Sequence, residues 1–281
     1  MKAVKKLFAL FLCAALIVSF APQTNAKAAV KTQKETLLVG EVVNYTPLLG
    51  TLKSVSSSKK SVATVKKSAG KAVVTAKKAG TATITIKSTR GTNKIKLTIK
   101  KADFTCGLKV LPDGYVLLSV KNNTSVYVDS ATVAYTLRTP EGETIAQSTR
   151  TVSDLMPKKT AYEKISYNDY SFTVSTENSS AAYAGGNRSL SAKYKSRVST
   201  TKVSVTDETD GKITLKVQNT YSGAIRGTID VLYYDEQGNV IYYNYYYVSM
   251  KGNDIASNTV NAPNNGYASY KLIVRTYSRT Y

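Results

Sequence analysis

The chain has 281 residues, room for two or three domains, and a formal net charge of +21. It contains no His and no Trp, which removes the usual general base, the commonest metal ligand and the best ring for stacking on sugars. Of its two cysteines, Cys13 lies in the apolar opening stretch, so Cys106 is left alone and a disulfide scaffold is excluded.

Lys2, Lys5 and Lys6, the apolar run Leu7 to Phe20 and the small-residue site Thr24-Asn25-Ala26 predict a secretory signal peptide over residues 1–26. The run is too short to favour a spanning helix, and Phe11-Leu12 before Cys13 are too large for a lipidation box. The mature chain is expected to be extracellular, with no transmembrane segment and no covalent wall anchor. Its charge is uneven. Residues 27–101 hold 17 Lys+Arg against Glu35 and Glu41, residues 102–197 hold 11 against 9, and residues 198–281 hold 8 against 7. An electrostatic partner should therefore meet the first module.

In chain order, Lys27 to Lys34 reads as a basic leader. Thr36 to Val39 and Val42 to Tyr45 read as strands around Gly40-Glu41, and Ser54 to Lys60 as a Ser/Lys loop. Ser61 to Val65, Lys71 to Lys77 and Thr81 to Lys87 follow as strands, with Ala72, Val74, Ala76, Ala82, Ile84 and Ile86 on the apolar side of a two-residue period. Lys94 to Lys100 alternates Ile95, Leu97 and Ile99 with lysines and Thr98, a row that would also guard an edge strand. The run S-V-A-T-V at Ser61 to Val65 and T-A-K-K-A-G-T-A-T-I-T-I from Thr75 resemble the bacterial immunoglobulin-like domain of group 2. The resemblance implies a secreted or surface-exposed β-sandwich over residues 27–101.

The rest contains an internal repeat. Val120-Lys-Asn-Asn123 matches Val217-Gln-Asn-Thr220, Val133 to Leu137 matches Ile229 to Tyr233, and Ile145 matches Ile241, at an offset near 96 residues. This predicts a duplicated module, at 102–176 and 198–281, separated by a Ser/Ala/Gly-rich linker at 177–197. Val231-Leu-Tyr-Tyr-Asp235 loosely resembles extracellular immunoglobulin-like modules named for an FxLyD motif, which adds only the fold. The expected fold class is all-β, three tandem immunoglobulin-like sandwiches with no helix after the signal peptide.

No residue set points to catalysis. Asp207, Glu208 and Asp210 sit beside Gly211 on one hairpin, where they read as turn formers and lack the spacing of a calcium loop. Cys106 reads as a small buried residue. No enzyme activity, metal or cofactor is expected. Two surfaces remain. Lys59, Lys60, Lys66, Lys67, Lys77 and Lys78 are the expected polyanion-binding set, for an anionic cell-wall polymer or glycan at the cell envelope. With Tyr45 as the module's single aromatic, specific nucleic-acid recognition is not indicated. Tyr242, Tyr243, Tyr245, Tyr246 and Tyr247 are the expected ligand-binding set, for a surface protein or a glycan. The function expected is adhesion or envelope structure. The alternative is a carbohydrate-binding accessory to a polysaccharide-degrading system.

Overall fold

The structure, a computed structural model, describes residues 30–167, 172–188, 193–209 and 211–280. The predicted signal peptide and Asp210 lie outside the described residues. Among the described residues the chain is all-β, apart from one 3-10 turn at Val198–Thr200. No helix there is long and apolar enough to cross a membrane.

The first sandwich comprises β1 (Lys31–Leu38), β2 (Glu41–Tyr45), β3 (Leu52–Ser57), β4 (Ala63–Ser68), β5 (Lys71–Ala76), β6 (Gly80–Ser88) and β7 (Gly91–Lys100). One of its sheets has the order β1-β7-β6-β3, with β1 parallel to β7, and the other contains β2-β5-β4. Alternate residues of each strand point inward. Val43, Val74, Ala76, Ile84, Ile86, Ile95, Leu97 and Ile99 form the core between the sheets.

The second sandwich comprises β8 (Phe104–Val110), β9 (Val116–Asn122), β10 (Val128–Arg138), β11 (Thr144–Leu155), β12 (Thr160–Ile165) and β13 (Ser175–Arg188). The third comprises β14 (Lys193–Ser196), β15 (Thr201–Thr209), β16 (Lys212–Asn219), β17 (Ile225–Tyr234), β18 (Val240–Met250), β19 (Ile255–Asn261) and β20 (Ser269–Thr280). The repeat is visible in the pairing. The sheet β12-β9-β8 corresponds to β19-β16-β15, and the run β11-β10-β13 to β18-β17-β20. Both copies bury the same asparagine. Asn122 Nδ2 donates to the carbonyls of Val126 (2.8 Å) and Leu155 (3.1 Å), and Asn219 Nδ2 to those of Gly223 (3.0 Å) and Lys251 (2.6 Å). Each Oδ1 accepts a backbone N–H two residues on, at 3.0 Å. The amide closes the turn that leads from one sheet to the other.

Four expectations are corrected. Residues 31–34, read as a leader, belong to β1, where pairing with β7 holds them. Residues 54–57, read as loop, belong to β3, paired with β6. The lysine-bearing strand β7 lies between β1 and β6, so its lysines guard no edge. The stretch 177–197, read as a linker, holds most of β13 and all of β14.

Of these two strands, β13 joins the first two sandwiches. β13 pairs antiparallel with β10 and, through Gly186 to Arg188, parallel with Glu41 to Val43 of β2. One six-stranded sheet, β11-β10-β13-β2-β5-β4, therefore runs through both. The crossing point needs bare backbone. A Cβ on Gly186 would stand 2.9 Å from Ser130 O, and one on Gly40 would stand 3.3 Å from Gly185 Cα. Consecutive residues at the end of β1 serve different cores, Leu37 the first and Leu38 the second. Buried Glu41 Oε2 accepts the Leu38 N–H at 2.6 Å and fixes that turn.

Candidate functional site

The lysine surface is organised around one buried residue, Val62. Val62 fills the end of the first core, and its carbonyl accepts N–H bonds from Lys77 (2.8 Å) and Lys78 (3.2 Å). The Lys59 carbonyl accepts the N–H groups of Val62 and Ala63, both at 3.0 Å. The two turns are thus tied together, and Lys59, Lys60, Lys77 and Lys78 emerge at the same end of the sandwich. Gly80 follows because a Cβ there would stand 3.2 Å from Val62 Cγ2, with φ at +145°. All six predicted lysines are exposed, and none forms an ion pair with a described residue. Lys66 and Lys67 are separate from the other four. They pair with Val73 and Ala72 farther along β4, an edge strand of the six-stranded sheet, and guard it against unwanted pairing.

Lys77 and Lys78 continue into a cleft of about 650 Å³ between the first two sandwiches, where Lys101, Phe104, Cys106 and Tyr183 also lie. Phe104 and Tyr183 stack with ring centroids 4.4 Å apart. Cys106 is half-buried against the second core, and burial pushes its thiol up, partly offset by a backbone hydrogen bond at Tyr183. It is a packing residue with its proton held, not an activated nucleophile.

The tyrosine hairpin divides by face. Tyr242 and Tyr246 turn inward onto the third core, beside fully buried Tyr233. Tyr243, Tyr245 and Tyr247 share the outer face, but Tyr243 is 3 % exposed, while Tyr245 and Tyr247 are 53 % and 50 % exposed. Of the five expected tyrosines, Tyr245 and Tyr247 are therefore the two exposed rings, with Tyr242 and Tyr246 partly buried and Tyr243 buried. The second sandwich covers Tyr243. Leu111, Leu117, Leu232 and Tyr243 form a fourth apolar cluster across that seam. Tyr242 also borders a cleft of about 690 Å³ with Asp113, Lys212 and Asn264. Lys164 Nζ lies 4.1 Å from the Tyr242 ring centroid while bonding Asp113 Oδ2 at 2.9 Å, so one ring face is already occupied.

At the centre of the seam is a buried ion pair. Arg275 Nε donates to Asp230 Oδ2 at 2.6 Å and Nη2 donates to Oδ1 at 3.0 Å, the bidentate arrangement. The remaining guanidinium nitrogen, Nη1, donates to the carbonyls of Ser153 (3.2 Å) and Asp154 (3.3 Å) on β11. Tyr243 OH shares its proton between Asp230 Oδ1 and the Tyr162 carbonyl, both at 3.1 Å. Burial and the Asp230 charge push the Tyr243 phenol far above its ordinary value. Burial opposes the Arg275 charge, and Asp230 more than compensates by hydrogen bonding and by charge. Nearby, burial pushes the Glu163 carboxyl up, against the pull of Arg150 at 3.5 Å. The hint in the sequence was one acid inside Ile229-Asp-Val-Leu and one base inside Ile273-Val-Arg-Thr, both otherwise apolar strand runs.

Within the predicted acid cluster, Glu208 has a structural role. Glu208 accepts the hydroxyls of Tyr267 (3.2 Å) and Tyr270 (3.0 Å). Burial, then Glu208, pushes both phenols up. Among the described residues no group of three or more His, Cys, Asp or Glu is placed to hold a metal ion.

No model of a known protein family matches the chain. No curated protein matches it either. Among solved structures, the I9–I11 tandem from titin is 13 % identical, with 89 % of this chain and 95 % of that one covered, at a TM-score of 0.20. The FN1–FN3 domains of chicken CNTN1 are 12 % identical, with 68 % of each chain covered, at a TM-score of 0.17. At those scores the assignment of tandem immunoglobulin-like sandwiches rests on the strand pairing and the cores described above.

Proposed function

We propose that this chain is a secreted, non-catalytic protein of the adhesion or envelope-structural kind. Its lysine-rich first sandwich, the part resembling group 2 bacterial immunoglobulin-like domains, holds it at an anionic cell-wall polymer or glycan. The last sandwich offers a partner-binding surface at Tyr245 and Tyr247. The observation that carries the reading is the gathering of Lys59, Lys60, Lys77 and Lys78 at one end by the shared Val62 carbonyl and the tied turn, unpaired with any described acid. Each lysine near an anionic surface contributes on the order of 1 kcal/mol, screened by salt, so four acting together retain a protein at low ionic strength. The principal acids of the last two sandwiches are engaged, Asp230 with Arg275, Glu208 with two tyrosines and Glu163 with Arg150, which supports a binding role over catalysis.

The carbohydrate-binding alternative draws on the cleft beside Tyr242, but Lys164 over that ring leaves less of it for a sugar. Fractionation of cells washed at increasing salt tests the reading. The protein should leave the envelope at moderate salt, and a variant with Lys59, Lys60, Lys77 and Lys78 changed to Gln should be found in the medium without a wash. Retention unchanged by high salt refutes it.

A further inference from the structure

Among the described residues five sheets present ten edge strands, and these are not alike. Eight carry at least one charged residue, such as Lys66 and Lys67 on β4 or Arg150 on β11, the usual means of keeping an edge from pairing. Only the seven-residue β19 and the eleven-residue β18 carry none. β18, V-I-Y-Y-N-Y-Y-Y-V-S-M, also lacks Gly and Pro and is rich in strand-forming residues. Among the described residues its ladder partner is β17 alone, with Asn244 reaching across to the Asn261 carbonyl of β19 at 3.2 Å.

We propose that the edge of β18 pairs antiparallel with β18 of a second copy of this chain, in the register that sets Tyr245 opposite the partner's Tyr247. Three observations select this occupant and register. First, the Tyr245 N–H points away from β17, where the adjacent Asn244 Oδ1 caps it at 2.9 Å and gives way to the partner's carbonyl on pairing. That places the main-chain groups of odd-numbered β18 residues on the outward side, so odd residues must face odd residues across a new ladder. Second, of the odd tyrosines Tyr243 is covered by the second sandwich, whereas Tyr245 and Tyr247 are half-exposed. Every antiparallel pairing of a strand with its own copy is reciprocal about a two-fold axis; the register with Tyr245 against the partner's Tyr247 puts that axis at Tyr246 and is the one in which both exposed rings are paired. It also forms two cross-strand tyrosine pairs from the two most exposed rings of the hairpin. Third, the charge distribution permits it. Residues 198–281 carry 8 bases against 7 acids, so two copies meet at their near-neutral ends, with the cationic first sandwiches apart.

The inference rests on the tyrosine half of the proposed function and is independent of the lysine half. It is tested by sedimentation equilibrium of the full mature chain and of two variants. Tyr245→Lys with Tyr247→Lys sets lysine against lysine at both contacts and should weaken the dimer at least tenfold. Tyr245→Lys with Tyr247→Glu sets opposite charges against each other across the interface and should restore it. Both positions are exposed, and far-UV circular dichroism verifies that the variants fold. A wild-type monomer at every concentration, a double-lysine variant that dimerises like the wild type, or a Lys/Glu variant no better than the double lysine would each overturn the proposal. Polyanion binding by the same variants, which keep every first-module lysine, reports separately on the lysine reading.

Discussion

Asp230 and Arg275 form a buried ion pair, and removing either partner alone is costly. Each is buried and has its charge balanced by the other, while the Ser153 and Asp154 carbonyls and the Tyr243 hydroxyl complete their hydrogen bonds. Asp230→Ala leaves a buried guanidinium charge without its counter-charge, and the expected loss is about 3–5 kcal/mol in a urea melt. Asp230→Leu combined with Arg275→Met removes both charges and should recover most of that loss. A double variant as unstable as the single one would mean that the pair does more than cancel itself. At this scale the sequence was partly legible. Asn122 and Asn219 announced themselves as a repeated V-x-N, because a buried amide that closes a turn must recur with the turn. Asp230 and Arg275 are 45 residues apart, and only the β17–β20 pairing makes them neighbours.

Among the elements, the strands with a clean two-residue period were readable, since alternation is what half-burial demands. β5, β6 and β7 follow it throughout their apolar positions. β13 was not readable. Its run S-T-E-N-S-S-A-A-Y-A-G-G-N-R has weak strand propensity, and it is a strand because β10 on one side and β2 on the other supply its ladders. Small residues are required there by close backbone approach, and the same composition resembles a linker when read alone. Gly186→Val should therefore injure the seam between the first two sandwiches more than either core, by about 1–3 kcal/mol. Hydrogen exchange checks this. Amides of Glu41 to Val43 should exchange faster in the variant, with those of β6 and β7 unchanged. Equal acceleration everywhere would mean that the strand stabilises the fold globally. The tyrosine hairpin was legible as a hairpin, but not which rings it would expose, because the neighbouring sandwich decides that.

For the whole molecule, the two seams make the three sandwiches one connected body, and both aromatic burial and charge act at that scale. Burial pushes the phenols of Tyr127, Tyr233, Tyr243 and Tyr277 well above their ordinary value of 10.0. The sign follows from proton linkage. The folded chain keeps these protons where the unfolded chain releases them, so the stabilisation is complete below pH 10 and is lost as pH rises beyond it. The melting temperature should be level up to about pH 10 and fall steeply above it, with part of the phenolate absorbance appearing only on unfolding. Full titration of every tyrosine near pH 10 in the folded protein would contradict this. The charge asymmetry was the most legible feature of all, since 17 bases against two acids in residues 27–101 needs no fold to be seen. What the fold adds is the gathering of four lysines into one patch.

The most direct test of that patch is the salt dependence of binding to linear polyphosphate, measured by fluorescence titration for the wild type and for the variant with Lys59, Lys60, Lys77 and Lys78 changed to Gln. Counterion release contributes about 0.7 to the log–log slope for each phosphate contacted on a flexible chain, so loss of four contacts should make the slope shallower by about 3 and weaken binding at low salt. An unchanged slope and affinity would contradict the account.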